Sequence, residues 1–132
     1  MTIAIDSSVL IAYVNKDDGN HHSALQLFKE IEKSEYGQPV ILDYVFDEVV
    51  TYFSSKHGKK LALSTGQWMF SSDFELHYIS HSVFQEAWNI FQKSSDLSFT
   101  DCVIAVFARE SNSSIATFDG HFSQFKDLRI IS

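Results

Sequence analysis

Short apolar runs of strand length alternate along this chain with longer stretches of helical periodicity. TIAI at residues 2–5, VIL at 40–42, ELHYI at 75–79, the run 114–118 and the run 128–131 read as strands. SVLIAYVN, opened by Ser7 and Ser8, reads as a helix directly behind the first of them. A second helix is expected over Asn20 to Ser34, with Asn20 as its cap and Ala24, Leu25, Phe28 and Ile31 as its apolar stripe. Gly37–Pro39 marks a turn. Asp43 is expected to cap a helix over Tyr44 to Lys56, whose Val45, Phe46, Val49, Val50, Tyr52 and Phe53 make a broad apolar face, and His57-Gly58 ends it. Another helix follows over 59–70. Ser82 and Gln85 form a capping-box pattern for a helix over 83–93, with Val83, Phe84, Ala87, Trp88 and Phe91 turned inward. Ser98 and Asp101 form a second such pattern ahead of Cys102–Glu110, which is apolar on all sides and therefore expected to be central.

Strands separated by helices pair in parallel, because a parallel partner must be reached by a crossover. The expected fold is α/β: a three-layer α/β/α sandwich with a mainly parallel central sheet. Its 132 residues suit one domain, 1–132, and one Pro with five Gly leaves little sequence for linkers. Right-handed crossovers bring the C-terminal ends of the strands to one edge of the sheet, the edge at which such folds bind ligands.

Four acids fall at or near that edge: Asp6, Glu48, Asp101 and Asp119. Asp6 ends the first strand and Asp119 the fourth. From Asp101 a helix of about ten residues runs roughly 15 Å away, and the strand 114–118 returns roughly 16 Å, so Asp101 and Asp119 reach the same level. Glu48 lies in the second turn of the helix behind strand 40–42. Taken singly, each acid has a plain explanation: a helix cap for Asp6, a capping-box acid for Asp101, a turn residue before Gly120 for Asp119, a solvated helix position for Glu48. Together they place four carboxylates on one rim within apolar sequence, an arrangement that is costly unless cations neutralise it. Asp47 points to a different face than Glu48, Asp17 and Asp18 read as loop acids, and Asp96 is a reserve ligand.

The segments AIDSSVLIAYVN, DEVVTYF, LSFTDCVIAVFARE and IATFDGHF, in this order, resemble the PIN domain family, in particular the small VapC toxins of VapBC toxin–antitoxin pairs. The resemblance spans essentially the whole chain. It places the family's four acidic positions on Asp6, Glu48, Asp101 and Asp119, its hydroxyl after the first acid on Ser7 or Ser8, and its threonine before the last acid on Thr117. It implies Mg²⁺ or Mn²⁺ as cofactor, RNA as substrate, a protein antitoxin as partner and a homodimer. Hard oxygen donors suit both ions. Two such ions, about 3.5–4 Å apart in sites of this kind, would activate water and stabilise the leaving 3′-oxygen, giving a 5′-phosphate and a 3′-hydroxyl. Asp6 and Asp101 are expected to touch metal directly, Asp119 directly or through water. Glu48 would orient or deprotonate the attacking water, and Ser8 and Thr117 would hold carboxylates in place.

The net charge of −7 departs from the basic face of general nucleic-acid binders. The close cluster Lys56, His57, Lys59 and Lys60 reads first as a solvated helix junction. Zinc is not indicated: Cys102 is the single cysteine, and no HExxH or closely spaced Cys/His pattern is present. His121 reads first as a surface residue, His21 and His22 as an exposed helix start, and Tyr52 as packed inward. Cys102 cannot form an intramolecular disulfide, which fits a reduced, cytoplasmic setting. The N-terminus lacks a basic leader, and no apolar run approaches the roughly 18 residues of a membrane span. A second reading of the same resemblance is a PIN-like RNA-binding or scaffolding protein with weak or suppressed catalysis. A haloacid-dehalogenase-like phosphatase would need an Asp where Ser8 stands.

Overall fold

The computed structural model describes residues 1–33 and 35–132. Five strands, β1 (Thr2–Ile5), β2 (Gln38–Leu42), β3 (Glu75–His77), β4 (Ser114–Ala116) and β5 (Ile130–Ile131), form one sheet in the order β3-β2-β1-β4-β5. Every pairing is parallel. The helices are α1 (Ser7–Val14), α2 (His21–Glu32), α3 (Asp43–Lys56), α4 (Lys59–Met69), α5 (His81–Lys93) and α6 (Phe99–Ser111), with a 3₁₀ turn over Gly120–Gln124. The chain builds outward from β1 through β2 to β3, then crosses back to add β4 and β5 on the other side of β1. Right-handed crossovers in these two opposite directions put α1–α4 on one face and α5 and α6 on the other, giving the expected three layers. The reversal occurs between β1 and β4, where a crevice opens beyond the strand ends.

β1 is completely enclosed in its last three residues, and so are Val40–Leu42 and Ser114–Ala116. Such strands are buried on both faces, which explains why they read as continuous apolar runs without alternation. The helix α6 is buried from Asp101 through Ala108, as its all-round apolar sequence requires. It stops at Asn112, which takes the left-handed conformation (φ 54°) favoured at helix ends.

Several expected boundaries shift. The second helix runs His21–Glu32; Ser34 lies outside the described residues, and Asn20 offers no side-chain cap. Its backbone N–H instead bonds Asp18 Oδ1 at 2.8 Å, so the preceding turn holds it. Leu27 takes the buried place expected of Leu25. Pro39 lies within β2, opposite Ile3, so the turn ends at Gly37, whose φ of 84° brings its backbone against Met1. Asp43 is the first residue of α3 and not its cap, with Oδ1 accepting from Tyr44 N–H at 3.0 Å. α5 is capped by Ser80, which accepts from Val83 N–H at 3.2 Å, and not by Ser82. Starting at His81, the helix buries Val83 and Ala87 and leaves Phe84 and Trp88 41 % and 46 % exposed. Each of these aromatics lies one position, or about 100°, beyond a buried one, outside the stripe that meets the core.

Candidate active site

The loop behind β1 sets the first part of the site. Asp6 follows Ile5, its backbone N–H bonded to Ala116 O at 2.9 Å, so the carboxylate is locked to the β1/β4 seam. Its side chain is 4 % exposed. Thr117 Oγ1 donates to Asp6 Oδ2 at 2.7 Å and Ser8 Oγ donates to the same oxygen at 2.8 Å. Among the described residues no side chain donates to Oδ1. The two hydroxyls also accept from the chain after β4: Phe118 N–H bonds Ser8 Oγ at 3.0 Å and Asp119 N–H bonds Thr117 Oγ1 at 2.9 Å. These bonds explain why the strand expected over 114–118 leaves the sheet after Ala116. Side-chain oxygens replace a neighbouring strand as partners for the last N–H groups, and the detour presents Asp119.

Asp101 enters from the first turn of α6. The capping box forms as read: Asp101 N–H bonds Ser98 Oγ at 3.0 Å, and Ser98 N–H bonds Asp101 Oδ2 at 3.0 Å. Glu48 lies on α3 with Oε1 accepting from Ser7 Oγ at 2.9 Å. The adjacent serines therefore divide their work, Ser8 on Asp6 and Ser7 on Glu48. Asp119 caps the 3₁₀ turn, its Oδ1 accepting from His121 N–H at 2.9 Å, and the His121 ring places Nδ1 3.0 Å from that same oxygen.

All four acids line one open cleft of about 480 Å³, together with Asp18, Asp96, Tyr52 and His121. Six carboxylates face it, and no Lys or Arg is found among its described lining residues. Burial pushes the Asp6 carboxyl above its usual range, outweighing the Thr117 and Ser8 hydrogen bonds, and the Asp119 charge adds to the rise. Glu48 and Asp101 are raised as well, each chiefly by burial and then, against their hydrogen bonds, by the neighbouring carboxylates. These three acids are thus held where the charged form is unfavourable and a cation would be favoured.

The donor set suits a hard divalent cation. Donor atoms of Asp101, Asp119 and His121 lie within 4.8 Å of one another, and the remaining groups of the cleft are carboxylate and hydroxyl oxygens. Asp47 is exposed, apart from the cleft, as expected. Lys56, His57, Lys59 and Lys60 are all exposed and do not line it. Two residues depart from the sequence reading. Tyr52 is half-buried and lines the cleft one turn beyond Glu48, because the inward side of α3 belongs to Val45, Val49 and Phe53. His121 joins the acids, brought round by the turn that Asp119 caps; its place two residues after the last acid was the available signal. The Cys102 thiol, beside Asp101, is buried and pushed up to about 11, which keeps it protonated and inert.

The PIN domain family matches residues 3–128. This chain belongs to the PIN domain family. Its fold is shared with VapC20 of Mycobacterium tuberculosis, a sarcin-ricin loop cleaving toxin, at a TM-score of 0.83 and 21 % identity over 93 % of this chain and 94 % of that one. VapBC2 from Rickettsia felis, solved bound to a DNA fragment from its promoter, is similar at a TM-score of 0.71 and 18 % identity, covering 99 % and 98 % of the two chains. VapBC-1 from nontypeable Haemophilus influenzae is similar at 0.73 and 12 % identity, covering 100 % and 98 %. No curated protein sequence matches the chain. Among the described residues no helix of this PIN domain is long and apolar enough to cross a membrane.

Proposed function

We propose that this PIN domain is a metal-dependent endoribonuclease and the toxin of a type II toxin–antitoxin pair. The observation that supports this most directly is the cleft itself: six carboxylates, three of them with pKa values raised by burial, and no Lys or Arg among its described lining residues. A phosphodiester cannot approach such a surface unaided, since its own charge is repelled. Cations held by the acids reverse the local sign.

Asp6, Asp101 and Asp119 would hold Mg²⁺ or Mn²⁺, with Glu48 facing the same space. A bound divalent cation supplies the positive charge that admits the phosphate and the Lewis acidity that makes water a nucleophile at neutral pH. Glu48, aimed by the Ser7 hydroxyl, accepts the proton of the attacking water; its raised pKa makes it the better base for this role. Ser8 and Thr117 hold Asp6 by one oxygen and fix its orientation. Water would add to phosphorus as the bond to the 3′-oxygen breaks, and the leaving oxygen takes a proton from solvent, giving a 5′-phosphate and a 3′-hydroxyl.

The structural neighbours named VapC and VapBC support a protein antitoxin as partner, and a cytoplasmic setting in which Cys102 remains a thiol. Self-association as a homodimer is supported by the uncharged aromatic surface of Phe84 and Trp88, where Phe84 meets Tyr44 and Phe99 in T-shaped contacts and Trp88 stacks on Phe91. The test is cleavage of defined single-stranded RNAs by purified protein with Mn²⁺, with EDTA, and by Asp6→Asn. Cleavage is expected only in the first. RNA bound but uncut by the wild type with Mn²⁺ would instead support an RNA-binding or scaffolding role.

A further inference from the structure

The acids of the cleft do not stand alone. His121, half exposed, is the nitrogen donor placed among them, and the chain fixes it there by two contacts to one oxygen. Its backbone N–H bonds Asp119 Oδ1 at 2.9 Å and its ring Nδ1 lies 3.0 Å from the same atom. The 3₁₀ turn over Gly120–Gln124 holds this arrangement, with Phe122 completely buried beneath it and Gln124 Nε2 bonded to His121 O at 2.8 Å. Nδ1 of His121 and Oδ1 of Asp119 thus stand as far apart as two adjacent donors of one ion would. Without an ion a ring proton on Nδ1 bridges them, because a carboxylate only accepts; an ion would take that place with the ring proton on Nε2, since either nitrogen of a neutral imidazole can carry it.

We infer that His121 is a metal donor of this cleft and that it makes the site discriminate for Mn²⁺ over Mg²⁺. The inference rests on the metal-dependent reading above. Ligand atoms of Asp101, Asp119 and His121 already lie within 4.8 Å of one another. Donors about 2.1 Å from a shared ion are about 3.0 Å apart when adjacent and about 4.2 Å when opposite, so only a small closure is needed. Carboxylates alone favour neither ion strongly. An imidazole does: Mg²⁺ takes oxygen ligands and retains its waters, whereas Mn²⁺ accepts nitrogen more readily and binds mixed N/O sites more tightly. The carboxylates set the charge of the site, and His121 sets its choice of ion.

The experiment measures Mn²⁺ and Mg²⁺ affinity directly, by calorimetry and by the paramagnetic resonance signal of free Mn²⁺. Wild type, His121→Ala and His121→Asp are compared after circular dichroism has shown that each is folded. Wild type is expected to bind Mn²⁺ more tightly than Mg²⁺. His121→Ala should lose about tenfold or more in Mn²⁺ affinity with little change for Mg²⁺. His121→Asp, an oxygen donor at the same place, should bind both ions with the preference abolished. If wild type binds neither ion, the metal-dependent reading itself fails. If it binds both and His121→Ala leaves the ratio of affinities unchanged, the role of His121 is refuted while that reading stands.

Discussion

Replacing Asp6 by Asn separates the two roles of a carboxylate that the fold disfavours and the proposed chemistry needs. The side chain is 4 % exposed, and both hydroxyl donors land on Oδ2. Asn keeps the shape and can keep its oxygen in the Oδ2 position, so both hydroxyls retain an acceptor. Each bond weakens by about 1 kcal/mol, the difference between a charged and a neutral acceptor. Against this, the effective cost of burying the charge is several kcal/mol, and repulsion by Asp119 is relieved as well. The raised pKa of Asp6 gives the sign, since burial outweighs the hydrogen bonds that favour ionisation. Metal-free Asp6→Asn is therefore expected to be more stable than wild type at pH 7.5, by about 1–2 kcal/mol or roughly 3–8 °C in Tm for a domain of this size. The same variant should lose the stabilisation that Mn²⁺ gives wild type, about 2.7 kcal/mol at a hundredfold excess over Kd. Differential scanning calorimetry in EDTA and in Mn²⁺ reads both effects. A metal-free variant that melts several degrees below wild type would refute the reasoning, because it would make the Asp6 charge part of what holds β1 to β4.

Two further outcomes follow from the same structure. Asp6, Glu48 and Asp101 all have folded-state pKa values above their ordinary ones, so the folded protein binds more protons than the unfolded chain through the window above about pH 4. Their contribution to stability is present at low pH and is lost as pH rises through the folded values. The Mn²⁺-induced rise in Tm should accordingly be larger at pH 7.5 than at pH 5, where protons compete for the same oxygens; an equal rise at both would contradict it. On α4, Thr65 is 3 % exposed and its Oγ1 is buried with no hydrogen-bond partner among the described residues. Thr65→Val, which replaces an unpaired hydroxyl by a methyl, should stabilise by about 1 kcal/mol in urea unfolding, with no effect on metal binding.

Much of the architecture could be read from local pattern. Strands buried on both faces need continuous apolar runs, a central helix needs apolar residues on every side, and a capping box such as Ser98–Asp101 is a short-range device whose partners are three residues apart. These features are written in adjacent residues, so β1, β2, α3 and α6 fell close to their expected places. The boundaries that moved are those settled by distant partners. The strand after Ser114 ends early because Ser8, more than a hundred residues away, offers its hydroxyl to Phe118 N–H. Ser80 rather than Ser82 caps α5, since both are hydroxyls at a helix start and local sequence does not choose between them.

The candidate site divides in the same way. Acids at strand ends are visible along the chain, and parallel connectivity implies that they meet, because every strand must end on the same edge. Which atoms they share is a matter of tertiary contact. Sequence spacing could not show that Ser8 and Thr117 converge on a single oxygen of Asp6, or that Ser7 turns to Glu48 instead. Nor could it place Tyr52 and His121 in the cleft. Periodicity reports which side of an element is apolar, whereas the position of a polar side chain in a cleft depends on the neighbours that close round it, and those come from other parts of the chain.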